Sequence, residues 1–409
     1  MQFINENNEF IIQLDLVATM ALTLLLVIFG NYIKKKIPIL EKLCIPSPVI
    51  TGLLFSLVTL VLYITKIATI QLDLTLQTPL MITFFATVGI GGSLKILKSG
   101  GKDLIFYWIL AALLSISQNV IGVVFSKLLN MNPLYGVLGG AVSMAGGHGG
   151  AAAFGQTAQE TMGLSGGLSV ALAAATFGLI CGGLIGGPIA KYLINKYNLQ
   201  PNLDEVENSE MIKEEEITEE INPNNIIHQG SILGVIMVVG AVLATWFSGL
   251  FNDLVLPGYV GAMFVAVIFR NVNDKIKITK VNMKVMDFIA DLSLTIFLTQ
   301  ALMSLKLWEL KDIAGPLLIV LIAQVVFIAL YTVFIVFRAL GKDYDAAVMV
   351  SGMIGHGLGA MPNGIANMTS VTKRFGPSTK AFMIVPLIGA FLVDIIHIPN
   401  IIFFMNLFK

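Results

Sequence analysis

Long apolar runs broken by short polar stretches set the pattern of this chain. The runs are continuous, not alternating, and most reach the ~20 residues a membrane helix needs. Barrel strands would instead alternate apolar and polar positions over about ten residues. Ten helical spans are predicted: Leu16–Ile33, Pro46–Thr65, Thr78–Ser93, Leu104–Leu129, Gly167–Tyr192, Ser231–Phe251, Leu256–Arg270, Lys284–Ser304, Ile313–Phe337 and Ala381–Leu407. Two segments, Pro133–Gln156 and Tyr344–Asn367, are too broken by Gly and Pro to cross. They predict re-entrant hairpins that return to the side they entered from.

Composition sharpens this reading. Of 409 residues, 56% are hydrophobic and 12% charged, against about 25% charged in ordinary soluble domains. There is too little polar side chain to solvate a globular surface, so a soluble enzyme or DNA-binding protein is excluded. The expectation is an all-α polytopic membrane protein. The net charge is zero, and Cys44 and Cys181 are too few for a disulfide framework or zinc site. The lead Met1–Asp15 carries no Lys or Arg, so the first run predicts a span and not a signal peptide.

Charge distribution orients the spans. With the N-terminus outside, 20 of the 25 Lys and Arg fall on the cytoplasmic side, as the positive-inside rule requires. Both termini are then outside. Counting either Gly-rich segment as a full span would invert all that follows and cancel the bias. The stretch Leu199–Asn225 holds nine Asp or Glu against one Lys and predicts a solvated cytoplasmic tether.

The two halves match each other. Pro48-Val-Ile-Thr-Gly52 aligns with Pro257-Gly-Tyr-Val-Gly261, Ser93-Leu-Lys with Ser304-Leu-Lys, and Ser143…His148-Gly149 with Ser351…His356-Gly357. The offsets drift only between 208 and 211 residues. The expected organisation is a first repeat over 16–198 with its hairpin at 133–156, an acidic linker at 199–225, and a second repeat over 226–409 with its hairpin at 344–367. Five spans per repeat is odd, so the repeats lie inverted in the membrane. Inverted repeats with paired Gly/Pro-interrupted segments are the mark of a secondary transporter and of its site. Unwound backbone survives in hydrocarbon only where protein, water or a ligand satisfies it.

The chemistry therefore centres on the two hairpins. Eight of the 20 residues from Gly136 to Gly155 are Gly, more than close helix packing needs. Backbone N–H groups at Gly147, His148, Gly149 and Gly150, and at His356, Gly357 and Gly359, are candidates to hold substrate carboxylates. Ser143, Ser351, Asn363 and Asn367, with hairpin carbonyls, are candidates to hold Na+, and Asn363 also to touch substrate. Asp394 sits deep in the last span, where a carboxylate is a functional candidate by default. It can hold Na+ or a substrate ammonium, or be satisfied by His397 one turn on. Asp291, Gln118, Asn119, Gln300 and Gln324 are weaker candidates. Ser143/His148 and Ser351/His356 also permit a nucleophile–base reading, but no third, orienting group is apparent.

Several strings carry a family resemblance. They include Ile45-Pro-Ser-Pro-Val, Phe84-Phe-Ala-Thr-Val-Gly89, Gly146-Gly-His-Gly149 and Ala175-Thr-Phe-Gly-Leu-Ile-Cys-Gly-Gly-Leu-Ile-Gly-Gly-Pro188. In the second half are Ala301-Leu-Met-Ser-Leu-Lys-Leu-Trp-Glu-Leu310, Gly357-Leu-Gly-Ala and Arg374-Phe-Gly-Pro-Ser378. The chain resembles the bacterial glutamate:Na+ symporter family from first span to last. The resemblance implies a homodimer in the bacterial inner membrane, Na+-coupled uptake of L-glutamate, an elevator motion, and a fold shared with 2-hydroxycarboxylate transporters. It implies no cofactor, with Na+ as coupling ion. Gly150, His356, Met361 and Asn363 depart from the family's usual pattern, all at the proposed cage. The alternatives are a carrier of another small anion, a channel, or an intramembrane enzyme using His148 or His356.

Overall fold

The computed structural model describes residues 2–6, 9–93, 101–201, 221–250 and 254–409. Most of the acidic linker, at 202–220, and the repeat match beyond Ser93 lie outside the described residues.

The first half runs through α1 (Leu16–Lys36), α2 (Ser47–Ile64), α3 (Gln77–Gly91), α4 (Gly101–Leu128), the pair α5 (Pro133–Val142) and α6 (Gly147–Glu160), and α7 (Gly167–Tyr197). The second half repeats that order. It comprises α8 (Pro223–Leu250), α9 (Gly258–Ile276), α10 (Met283–Met303), α11 (Ala314–Ala339), the pair α12 (Tyr344–Gly357) and α13 (Met361–Phe375), then α14 (Thr379–Leu387) and α15 (Asp394–Leu407). Among the described residues, seven helices are long and apolar enough to cross a membrane: α1, α2, α4, α7, α8, α10 and α11. The protein is a mostly helical, polytopic membrane protein.

Local chemistry fixes the ends. Asp15 caps α1 by accepting from the Ala18 N–H at 2.9 Å, and Lys34, Lys35 and Lys36 close its last turn, where the helix dipole favours cations. Asn282 and Asp343 cap α10 and α12 in the same way. A small sheet has no counterpart among the elements the apolar pattern predicts. Strand β1 (Gln2–Glu6) pairs antiparallel with β2 (Glu9–Leu14), and β3 (Thr69–Leu72) lies parallel to β2.

The helices sort into two bodies. In one, α1, α2, α3, α8, α9 and α10 pack chiefly on each other, with Ala86, Ile90, Ile236, Ala262 and Met286 at the heart. In the other, α7 lies against α6, α12 and α13, while α4 lies against α5, α11 and α15. Small residues let backbones close up within each body, as at Gly122 against Gly136 and Gly240 against Gly261. Contact between the bodies is sparse, and Tyr259 of α9 meeting Thr157 of α6 at 3.2 Å is one such point.

Both broken segments fold back on themselves. Helices α12 and α13 run antiparallel, with Asn367 Nδ2 donating to the Ser351 carbonyl at 3.2 Å and the Tyr344 hydroxyl donating to the Gly376 carbonyl. In the first segment, the Tyr135 hydroxyl reaches the Ser165 carbonyl at 2.7 Å, tying its start to its end. α5 finishes in a π turn, Leu138–Val142, with Gly140 at φ −94°, ψ −133°. The turn frees the Ala141 N–H, which donates to Asn119 Oδ1 at 3.0 Å. The last predicted span, Ala381–Leu407, is likewise not one helix. Pro386 removes a ladder donor, a π turn follows over Ile388–Leu392, and α15 restarts at Asp394.

Candidate functional site

The hairpin tips meet. Gly147, left-handed at φ +57°, opens α6 directly against the Gly359 carbonyl that precedes α13. Beside this contact lies a cavity of about 240 Å³, between the two bodies. The hairpins supply Gly146 to Gly150 on one side and Gly359, Ala360 and Met361 on the other. Phe84, Leu294 and Thr295 come from the facing body, and Gly389, Asp394 and His397 from the broken last span.

Two helix N-termini open here. α6 begins without a side-chain cap, and Gly150 is the first residue to bond back, to the Gly146 carbonyl at 3.1 Å. Helix geometry leaves the preceding N–H groups without intrahelical acceptors. α13 also begins without a side-chain cap, from an extended Ala360, and Pro362 has no N–H to offer. Each N-terminus carries about half a positive charge and favours an anion. Asp394 supplies the opposite sign. Its carboxylate borders the cavity and makes no ion pair with any described residue.

Of the residues singled out from sequence, Gly147, His148, Gly149, Gly150, Gly359 and Asp394 border this cavity. His148 Nε2 lies 3.1 Å from Thr176 Oγ1, whose own proton goes to the Leu172 carbonyl. The threonine therefore accepts, and Nε2 carries the imidazole proton. Gly359 offers its carbonyl toward Gly147.

Met361 and His397 border the cavity too, and the remaining candidates lie elsewhere. His356 points away from the cavity and pairs with the Tyr107 hydroxyl at 2.9 Å, buried against α4. The Gly357 carbonyl accepts from Gln118 Nε2 at 2.7 Å. Asn363 and Asn367 lie behind the tip and donate to the Leu179 and Gly182 carbonyls of α7 at 2.7 and 2.9 Å. Asn363 Oδ1 is buried without a partner among the described residues. The Ser143 and Ser351 hydroxyls donate to the Ala171 and Val348 carbonyls at 2.8 and 2.7 Å. Neither serine bonds its histidine, so the nucleophile–base geometry does not form. Gln118 and Gln324 are buried between α4 and α11, linked through the Gln118 carbonyl at 2.7 Å. The pair that spacing allows between Asp394 and His397 is also absent. His397 Nδ1 meets Ser115 Oγ of α4 instead, at 2.8 Å.

A carboxylate and two helix N-termini without side-chain caps thus border one cavity inside a bundle of apolar helices. The chain belongs to the sodium/glutamate symporter family, whose model matches residues 12–377. It is similar to the sodium/glutamate symporter of Haemophilus influenzae, 41% identical over 382 residues that cover 93% of this chain and 94% of that one. It is likewise similar to the sodium/glutamate symporter of Escherichia coli, 38% identical over 386 residues, covering 94% of this chain and 96% of that one. These relatives are named as transporters, in agreement with a carrier and not an enzyme.

Proposed function

We propose that this protein carries L-glutamate into the cell by symport with Na+. The observation that carries the reading is the charge arrangement around the cavity. Two helix N-termini suit two carboxylates, and Asp394 suits the ammonium between them. The names of the relatives point to the same solute and the same ion. Na+ is assigned to oxygens at the hairpin turns. Asn363 Oδ1 supports this, since a buried amide oxygen without a partner is costly until something binds it. Asn367 and the carbonyls beside Ser143 and Ser351 complete the candidate set.

The motion proposed is of elevator type. The hairpin-bearing body, α4–α7 with α11–α15, would slide against the other, and the sparse contact between them favours this. The halves are read as inverted repeats with re-entrant hairpins, on the recurring element order and the 208–211 residue offset. The body of α1–α3 and α8–α10 exposes Leu25, Ile28, Val238 and Trp246, a surface suited to lipid or a second protomer, and a homodimer is proposed on it. Both termini are placed outside on the lysine and arginine distribution, and the bacterial inner membrane is proposed on the family resemblance.

Uptake of radiolabelled L-glutamate into proteoliposomes tests the function. Accumulation should require an inward Na+ gradient. With at least two Na+ per glutamate, an inside-negative potential should raise it, since one net charge is worth about 2.3 kcal/mol per 100 mV, roughly fifty-fold in the limiting ratio. Accumulation of other small anions with glutamate excluded would favour a related carrier. Downhill flux alone would mean a channel.

A further inference from the structure

We propose that His397 reads the α-carboxylate of the bound amino acid through its Nε2–H. This rests on the symport reading above and adds a residue to it. His397 is 2% exposed and borders the cavity, and its Nε2 is buried without a hydrogen-bond partner among the described residues. A buried polar nitrogen left bare is costly unless a ligand satisfies it.

The other ring nitrogen fixes what Nε2 can do. Asn400 Nδ2 donates to Ser115 Oγ at 3.0 Å, and Ser115 Oγ lies 2.8 Å from His397 Nδ1. The serine accepts from the amide, and its own proton has no acceptor among the described residues other than Nδ1. The neutral imidazole therefore carries its own proton on Nε2. That N–H faces Gly146, where a Cβ would sit 3.0 Å from the nitrogen. Gly146 caps α6, so the Nε2–H and the first N–H groups of α6 converge on one corner of the cavity.

Asp394 stands one turn before His397 on α15, and side chains three apart on a helix are neighbours. An amino acid carries its ammonium and α-carboxylate on one carbon, so their partners must also be neighbours. Asp394 for the ammonium, with His397 and the α6 N-terminus for the α-carboxylate, meet that condition. The distal carboxylate is left to the α13 side, at Gly359 to Met361.

The test is Na+-driven uptake in proteoliposomes by unaltered protein, His397→Leu and His397→Gln, with equal reconstitution checked by gel filtration. His397→Leu should raise the KM for L-glutamate roughly ten-fold or more while the maximal rate changes less. His397→Gln, which can place an amide N–H near the same point, should restore most of it. Preference for glutamate over 4-aminobutyrate, which lacks the α-carboxylate, should fall with the KM change. An unaltered KM in His397→Leu overturns the proposal, as does a rise that glutamine does not reverse or an unchanged preference. Absence of glutamate uptake by unaltered protein overturns the symport reading itself.

Discussion

The carbonyl of Gly359 lies 2.6 Å from the point where a side chain on Gly147 would begin. The two residues belong to different hairpins, more than two hundred positions apart, and they set how closely the tips approach. Gly147 also has positive φ, which an L side chain adopts at a cost of roughly 1–2 kcal/mol.

Gly147→Ala should therefore force the tips apart. Strain of that size falling on the substrate-bound state weakens apparent affinity roughly ten-fold. The measurement is concentration-dependent uptake, with detergent-solubilised melting as the control for folding. Wild-type KM in Gly147→Ala would mean that the tips do not need to touch for binding.

His356→Phe should leave glutamate KM and substrate ranking unaltered, because His356 faces Tyr107 and not the cavity. The change strands the buried Tyr107 hydroxyl and should cost about 1–3 kcal/mol of stability. Thermal melting and uptake competition together check both halves of that expectation. A shifted substrate ranking with unaltered melting would place His356 in the binding machinery after all.

The sequence located the hairpin tips because a chain that must turn and bare its backbone in hydrocarbon needs glycine, and Gly146 to Gly150 announce it. It located Asp394 because a lone carboxylate in an apolar run is conspicuous. It did not distinguish His356 from His148, which stand at matching places 208 residues apart in the sequence. Their environments differ through Tyr107 and Thr176, on helices that no spacing relates to the hairpins. Local spacing offers His397 to Asp394 as one of its possible partners. The serine that claims its Nδ1 is 282 residues away. The break before Asp394 had signals in Pro386 and Gly389, outweighed by the apolar run around them. The strands at 2–6, 9–14 and 69–72 are short, and the third pairs with the second across more than fifty residues.

Single cysteines should report the sidedness of the hairpins. Thr161 and Ser370, both exposed, follow the first and second hairpin in turn. In a background with Cys44 and Cys181 replaced, an impermeant maleimide on intact cells should label Thr161→Cys and not Ser370→Cys. Labelling of both from outside would end the inverted-repeat reading.

The central claim is that one cavity binds the amino acid and does so with Na+, through Asp394. Calorimetric titration of L-glutamate into the purified protein measures this without the complication of turnover. Saturable binding is expected in sodium chloride and not in choline chloride of equal ionic strength. Asp394→Asn should weaken it roughly ten-fold or more, as loss of a charged hydrogen-bond partner does. Binding that ignores Na+, or that survives Asp394→Asn unaltered, would contradict the account.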